Sequence, residues 1–156
     1  MGDFVAQQFA GRWVLSPQDL IAEFECDHRT SLDFAVKAGV LAAPVVADAG
    51  LVLLQQQGLA HEQARLEGID PGLRVRRLDP SGYSIAGYEA GWRETKAAID
   101  AEYDVIYQAT LFTGDFVGFA DFLVVARDDV GAVVRDARGM AVYEPVDTKS
   151  ARSAKR

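Results

Sequence analysis

Apolar residues in this chain change their rhythm part way along. Up to about residue 99 they recur at helical spacing, and from Tyr103 onward they run in short continuous blocks. Ser16-Pro17-Gln18-Asp19 reads as a helix start, with serine at the N-cap, proline at the first helical position and an acid in the first turn. Leu20, Ile21, Phe24, Leu32 and Ala35 follow as one apolar stripe, which predicts a single helix that stops at Gly39. Pro44 marks a connector. A second helix is predicted over 48–67, with Leu51, Leu54, Gly58, Leu59, Glu62 and Leu66 on one stripe and His61 beside it. Residues 1–14 read as a lead-in. Residues 68–92 predict one short strand near 73–78 inside an irregular loop, and a short helix follows at Thr95. The blocks 103–112, 116–127 and 139–148 predict a meander of three strands, turning first at Gly114-Asp115. The pattern predicts an α/β domain with helices packed on a central mixed β-sheet.

Length and composition bound this picture. A chain of 156 residues suits one domain over 1–156, and 49% hydrophobic with 25% charged residues is a globular balance. A net charge of -7 opposes non-specific nucleic-acid binding over the whole surface, but leaves room for a metal-dependent site whose acids hold cations. The one basic concentration is 149–156, with four Lys or Arg in eight residues, read as a solvated terminus. Cys26 is the only cysteine, so no intrachain disulfide is expected, which suits a reducing cytoplasm. No signal peptide is expected at the N-terminus. The greasiest stretch, 39–54, is broken by Pro44 and Asp48, short of the roughly 18 apolar residues of a membrane span.

Asp121 is the residue that composition does not explain. It lies in Gly118-Phe119-Ala120-Asp121-Phe122-Leu123-Val124-Val125, an otherwise apolar run with two apolar faces. Such a strand is central and covered, and an acid within it needs a hydrogen bond, a cation or a proton. A second apolar stretch ends in Val146-Asp147-Thr148-Lys149. Asp147 and Lys149, two apart on a strand, share a side about 7 Å apart. A hairpin joining the two strands would bring Asp121 and Asp147 together around one cation. Mg²⁺ or Mn²⁺ takes oxygen ligands and needs one or two carboxylates, with the Thr148 carbonyl as a further donor. Such an ion acidifies a bound water and screens a phosphodiester, while the Lys149 ammonium holds the water and stabilises charge on the phosphate oxygens. An acid-x-lysine triple is weak by itself, and Glu94-Thr95-Lys96 is a second one; it sits in a polar stretch and reads as plain surface charge.

These residues carry a resemblance. Gly118-Phe119-Ala120-Asp121-Phe122-Leu123 followed by Tyr143-Glu144-Pro145-Val146-Asp147-Thr148-Lys149-Ser150-Ala151-Arg152 resembles the RecB-like branch of the PD-(D/E)XK nuclease superfamily, closest to RecB-family nucleases often fused to a helicase. Asp104-Val105-Ile106-Tyr107-Gln108-Ala109, Gly58-Leu59-Ala60-His61-Glu62 and Leu15-Ser16-Pro17-Gln18-Asp19-Leu20 with Cys26 are similar too. The resemblance implies that Asp121 and Asp147 are catalytic metal ligands, that Lys149 is the catalytic lysine, that His61 is a further metal ligand, and that the Thr148 carbonyl completes the shell. It implies a restriction-endonuclease-like core and a Mg²⁺- or Mn²⁺-dependent deoxyribonuclease, exonuclease-type, working in DNA repair, recombination or defence. Its implied partners are single-stranded DNA and a helicase domain, with no membrane. Two departures stand out. The family's following helix, with its glutamine and tyrosine, and its next strand are not in this sequence, so the core reads as lacking its C-terminal helix and strand. The three late cysteines of an iron–sulfur cluster are also absent, so no cluster is expected here.

Two other readings compete: a catalytically inactive remnant that binds nucleic acid or a partner chain, and a small-ligand binder on a curved sheet. Residue by residue, Asp121 could be a structural acid, Asp147 and Lys149 an exposed ion pair, and His61 a surface histidine. Cys26 reads as a buried small apolar group, His28 as structural, and Gln108 as a satisfied sheet glutamine, with a place near the site as its alternative. Phe112, Phe116, Phe119 and Phe122 read as core.

Overall fold

The computed structural model describes residues 6–42, 49–79 and 82–146, with only the helical backbone described for 49–55. A small hairpin of β1 (Gln7–Phe9) and β2 (Arg12–Val14) leads into α1 (Pro17–Glu25), α2 (Asp27–Lys37) and α3 (Ala49–Glu67). Then come β3 (Val75–Arg77), α4 (Ile85–Asp100), β4 (Val105–Phe112), β5 (Val117–Val125) and β6 (Tyr143–Val146). The main sheet has the order β3-β4-β5-β6. β3 runs parallel to β4 with α4 as the crossover, and β4, β5 and β6 form an antiparallel meander. The α/β class and the mixed sheet expected from the apolar rhythm are therefore present, and β5 is an inner strand.

Three apolar clusters hold this arrangement. Leu78, Ala98, Ile106, Ala109 and Leu123 pack between the sheet and α4. Val14, Tyr88, Phe112 and Val117 tie the hairpin to the other end of α4 and the sheet. Leu66, Val105 and Phe122 seat α3. Tyr88 is 1% exposed and meets the rings of Phe9, Phe112 and Phe119, while its hydroxyl donates to Gln7 Oε1 at 2.8 Å. Helix α4 approaches β4 closely at Gly91, where a Cβ would lie 2.7 Å from Thr110 Oγ1. One turn on, the fully buried Thr95 accepts the Thr110 backbone N–H at 3.0 Å.

Several expectations change. The lead-in is a hairpin, whose exit residue Leu15 donates its N–H to Asp115 O and accepts the Val117 N–H, each at 2.8 Å. The expected single helix is two, because Cys26 is extended (φ -167°, ψ 102°) between α1 and α2. Its stripe is not core: Leu20, Ile21, Phe24 and Leu32 are exposed. What holds α1 is its start, where Asp19 accepts Ser16 N–H at 2.6 Å, Ser16 Oγ–H at 2.7 Å and Ala6 N–H at 2.7 Å. Cys26 is exposed rather than buried, because the break places it between two helices at the surface. Helix α4 is longer than expected and starts at Ile85, with Ser84 Oγ capping Gly87 N–H at 3.0 Å. Glu94-Thr95-Lys96 therefore lies inside a helix, where Thr95 faces the core and Lys96 pairs with Asp100 at 2.9 Å. Phe112 and Phe122 are core, whereas Phe116 is 37% exposed. Pro44 lies outside the described residues, and no described helix is long and apolar enough to cross a membrane.

Candidate functional site

Asp121 lies in the middle of β5 and is only 8% exposed. The β4–β5 ladder pairs Tyr107 with Phe122 and Ala109 with Ala120, so Gln108 falls opposite Asp121 with the register unchanged, yet these two residues do not pair. Gln108 is the reason. Its φ is 58°, a left-handed conformation that side-chain-bearing residues seldom adopt and that turns its peptide groups out of the ladder. Strict strand alternation is interrupted at the same step. Ile106 and Ala109, three apart, enter one apolar cluster, and their partners Leu123 and Ala120 join them there.

A helix supplies the third component. One turn before Leu66, which anchors α3 to the sheet, Glu62 reaches inward and is 5% exposed. Gln108 Nε2 donates to Glu62 Oε1 in a short hydrogen bond. Tyr107 joins the group. Burial pushes its phenol above the ordinary range, its hydrogen bond to Glu62 and that residue's charge add to the rise, and the charge of Asp121 adds further; Gln108 pulls the other way. One phenol thus feels two buried carboxylates, one from α3 and one from β5. Retaining a left-handed glutamine, at a cost on the order of 1–3 kcal/mol, requires surroundings that fix it, and such residues cluster at functional sites.

The expected site residues are distributed as follows. Asp121 is buried at the ladder gap. His61 is on α3 but exposed, because on a helix the neighbour of an inward residue turns away, and here Glu62 is the inward one. Asp147, Thr148 and Lys149 lie outside the described residues, as does the basic stretch 149–156. β6 pairs with β5 up to Val146 opposite Phe122, one step short of Asp121. His28 is exposed near the start of α2. Among the described residues, no three of His, Cys, Asp and Glu gather as a metal-holding group. Glu62 is legible in the sequence as a stripe position within a family-like segment, and Gln108 as a sheet glutamine with a place near the site as its alternative; neither is singled out as a ligand. The signal that could have raised both is polarity: each is a polar residue where the period calls for an apolar one.

The donor set is hard oxygen: two buried carboxylates and a phenol, with the Gln108 amide bonded to Glu62. That set fits Mg²⁺ or Mn²⁺ chemistry and not a soft metal. No family model, curated protein or solved structure matches this chain.

Proposed function

We propose that this chain is a metal-dependent nuclease that hydrolyses DNA phosphodiester bonds, built on a restriction-endonuclease-like core of the RecB type. The observation that carries the reading is Asp121: a buried carboxylate at the one unpaired step inside the β4–β5 ladder, opposite a strained Gln108 and near the buried Glu62. A strand centre that served packing alone would favour an apolar residue there.

The register of β5 with β6 supports a role for the second motif. Continued by one step, the same ladder would bring position 147 opposite Asp121. In this reading Asp121 and Asp147 would hold Mg²⁺ or Mn²⁺, with the Thr148 carbonyl and a group from α3. His61 is the α3 group that the family resemblance implies, and Glu62 is the α3 carboxylate that reaches the interior. The cation, when bound, supplies charge neutralisation at the phosphate and a more acidic water. Lys149 would hold that water by hydrogen bonding and offset charge on the non-bridging oxygens. Tyr107 and Gln108 fix the direction of Glu62. The substrate is proposed to be single-stranded DNA, and a helicase domain is a fitting partner for supplying it.

The test is cleavage of single-stranded DNA by the purified chain in Mg²⁺ or Mn²⁺, with chelation, Asp121→Asn and Lys149→Ala each abolishing it while the fold is kept. Cleavage that survives both substitutions would overturn the reading. Cation binding without turnover would favour a remnant that only binds nucleic acid or a partner chain.

A further inference from the structure

The edge strand β3 carries two adjacent arginines with different surroundings. Val75 pairs with Val105 and packs with Leu66 and Phe122 under α3. Leu78 packs with Ile106 and Ala98 under α4. Successive side chains alternate, so Arg77 shares the α3 side with Val75, and Arg76 shares the α4 side with Leu78. In the parallel register Arg77 is the partner of Tyr107, and neighbouring strands lie about 4.8 Å apart. Tyr107 is the residue whose phenol feels both Glu62 and Asp121.

Arg77 is exposed and has no hydrogen bond or ion pair among the described residues. Other arginines are committed: Arg12 to Asp115, Arg127 to Asp104, Arg135 to Glu102, and Arg74 to the carbonyls of Ala101 and Glu102. Arg65, one turn after Glu62 on α3, is exposed and lies 5.6 Å over the Phe122 ring, which in turn meets the Tyr107 ring at 5.2 Å. Two exposed guanidinium groups, neither in an ion pair among the described residues, therefore flank the Tyr107–Phe122 pair beside the buried acids. In a chain of net charge -7 these two cations offset the charge of the two acids beside them. β3 is the last strand on its side of the described sheet, so the approach to Arg77 is not blocked by another strand.

Resting on the nuclease reading, we propose that Arg77, with Arg65 beside it, grips a backbone phosphate of the nucleic-acid strand and holds that strand against the Glu62–Asp121 site. A guanidinium fork matches two phosphate oxygens at once and keeps its charge at every working pH. A phosphate contact positions the strand and carries no base preference. Arg77 acts on binding and not on the bond that breaks.

The test uses the full chain and a fluorescein-labelled single-stranded oligodeoxynucleotide in Mn²⁺. Arg77→Ala should raise KM about tenfold and leave kcat within about twofold. The slope of log KM against log salt should fall by about 0.7, the loss of one phosphate contact on a single strand. Arg77→Lys should recover most of the affinity, and Arg76→Ala, on the opposite side of the same strand, should behave as the unsubstituted chain. An unchanged KM in Arg77→Ala, or an equal loss in Arg76→Ala, overturns the inference alone. Absence of cleavage by the unsubstituted chain in either cation overturns the nuclease reading and takes this inference with it.

Discussion

Gln108 faces Asp121 across the centre of the sheet without pairing to it, because its backbone is left-handed at φ 58° while the register on both sides stays intact. An extended backbone at 108 would close the ladder and bring the neighbourhood of Asp121 back to regular sheet. The gap is thus held open by one residue, whose amide is fixed by Glu62 from α3.

Substitution at 108 separates the backbone cost from the side-chain contact. Gln108→Gly removes the left-handed strain, on the order of 1–3 kcal/mol, but loses a bond to the buried Glu62 of about the same worth, so net stability should change by less than about 1 kcal/mol. Gln108→Val keeps the strain and adds a branched side chain at positive φ, and should cost more than about 2 kcal/mol. Urea unfolding midpoints measure both. Equal tolerance of Val and Gly would mean that position 108 is not held left-handed in solution.

Asp121→Asn should lower metal-dependent DNA cleavage by a factor on the order of 10² or more, with the thermal midpoint unchanged or raised, since a buried charge is replaced by a neutral group of similar shape. A fluorescence melt beside a gel-based cleavage assay reads the two effects separately. A large drop in the melting midpoint would instead assign Asp121 a structural role.

Gly91→Ala tests the approach of α4 to β4. In a free helix this change gains about 1 kcal/mol. Here the new Cβ would sit 2.7 Å from Thr110 Oγ1 and 2.9 Å from Thr110 Cβ, so the change should destabilise by about 1–3 kcal/mol. The sign of the shift in calorimetry decides the matter.

Acid sensitivity should reside in part at Asp104. The Arg74 backbone N–H holds its carboxyl below the ordinary 3.8, and the hydrogen bond and charge of Arg127 add to this. A carboxylate depressed in the folded state contributes stability that is present above 3.8 and is lost as pH falls through the lower folded value. Asp104→Asn should therefore flatten the acid limb of stability below about pH 4 and leave its neutral slope unchanged. Chemical unfolding across that range gives the comparison.

How much was legible depended on what each signal reports. The blocks at 103–112 and 116–127 contain β4 and β5, the block at 139–148 contains β6 over Tyr143–Val146, and the helix over 48–67 contains α3, although of its stripe Leu66 and Glu62 are buried and Leu59 is exposed. The first apolar stripe misled: Leu20, Ile21 and Phe24 repeat at helical spacing yet face outward, while the group that fixes α1 is the polar pair Ser16 and Asp19. The start of helix α4 is hidden in the sequence because Gly87 and Gly91 lower helix propensity, and the reason for a glycine at 91 exists only in three dimensions, where Thr110 fills the space. At the candidate site Asp121 stood out as an acid among apolar neighbours. Glu62 and Gln108 did not, since their roles arise from a helix crossing a strand 46 positions away.

The clasp of Leu15 between Asp115 and Val117 has a bearing on the order of assembly. Arg12 and Asp115, which close the same clasp, are 103 positions apart, so the hairpin has nothing to dock on until residues 115–117 have followed it. A segment made before its dock then settles after it, and we expect the hairpin's amides, read by pulsed hydrogen exchange during refolding, to gain protection after those of β4 and β5. A pause in translation before residue 115 would lengthen the time the hairpin stays undocked.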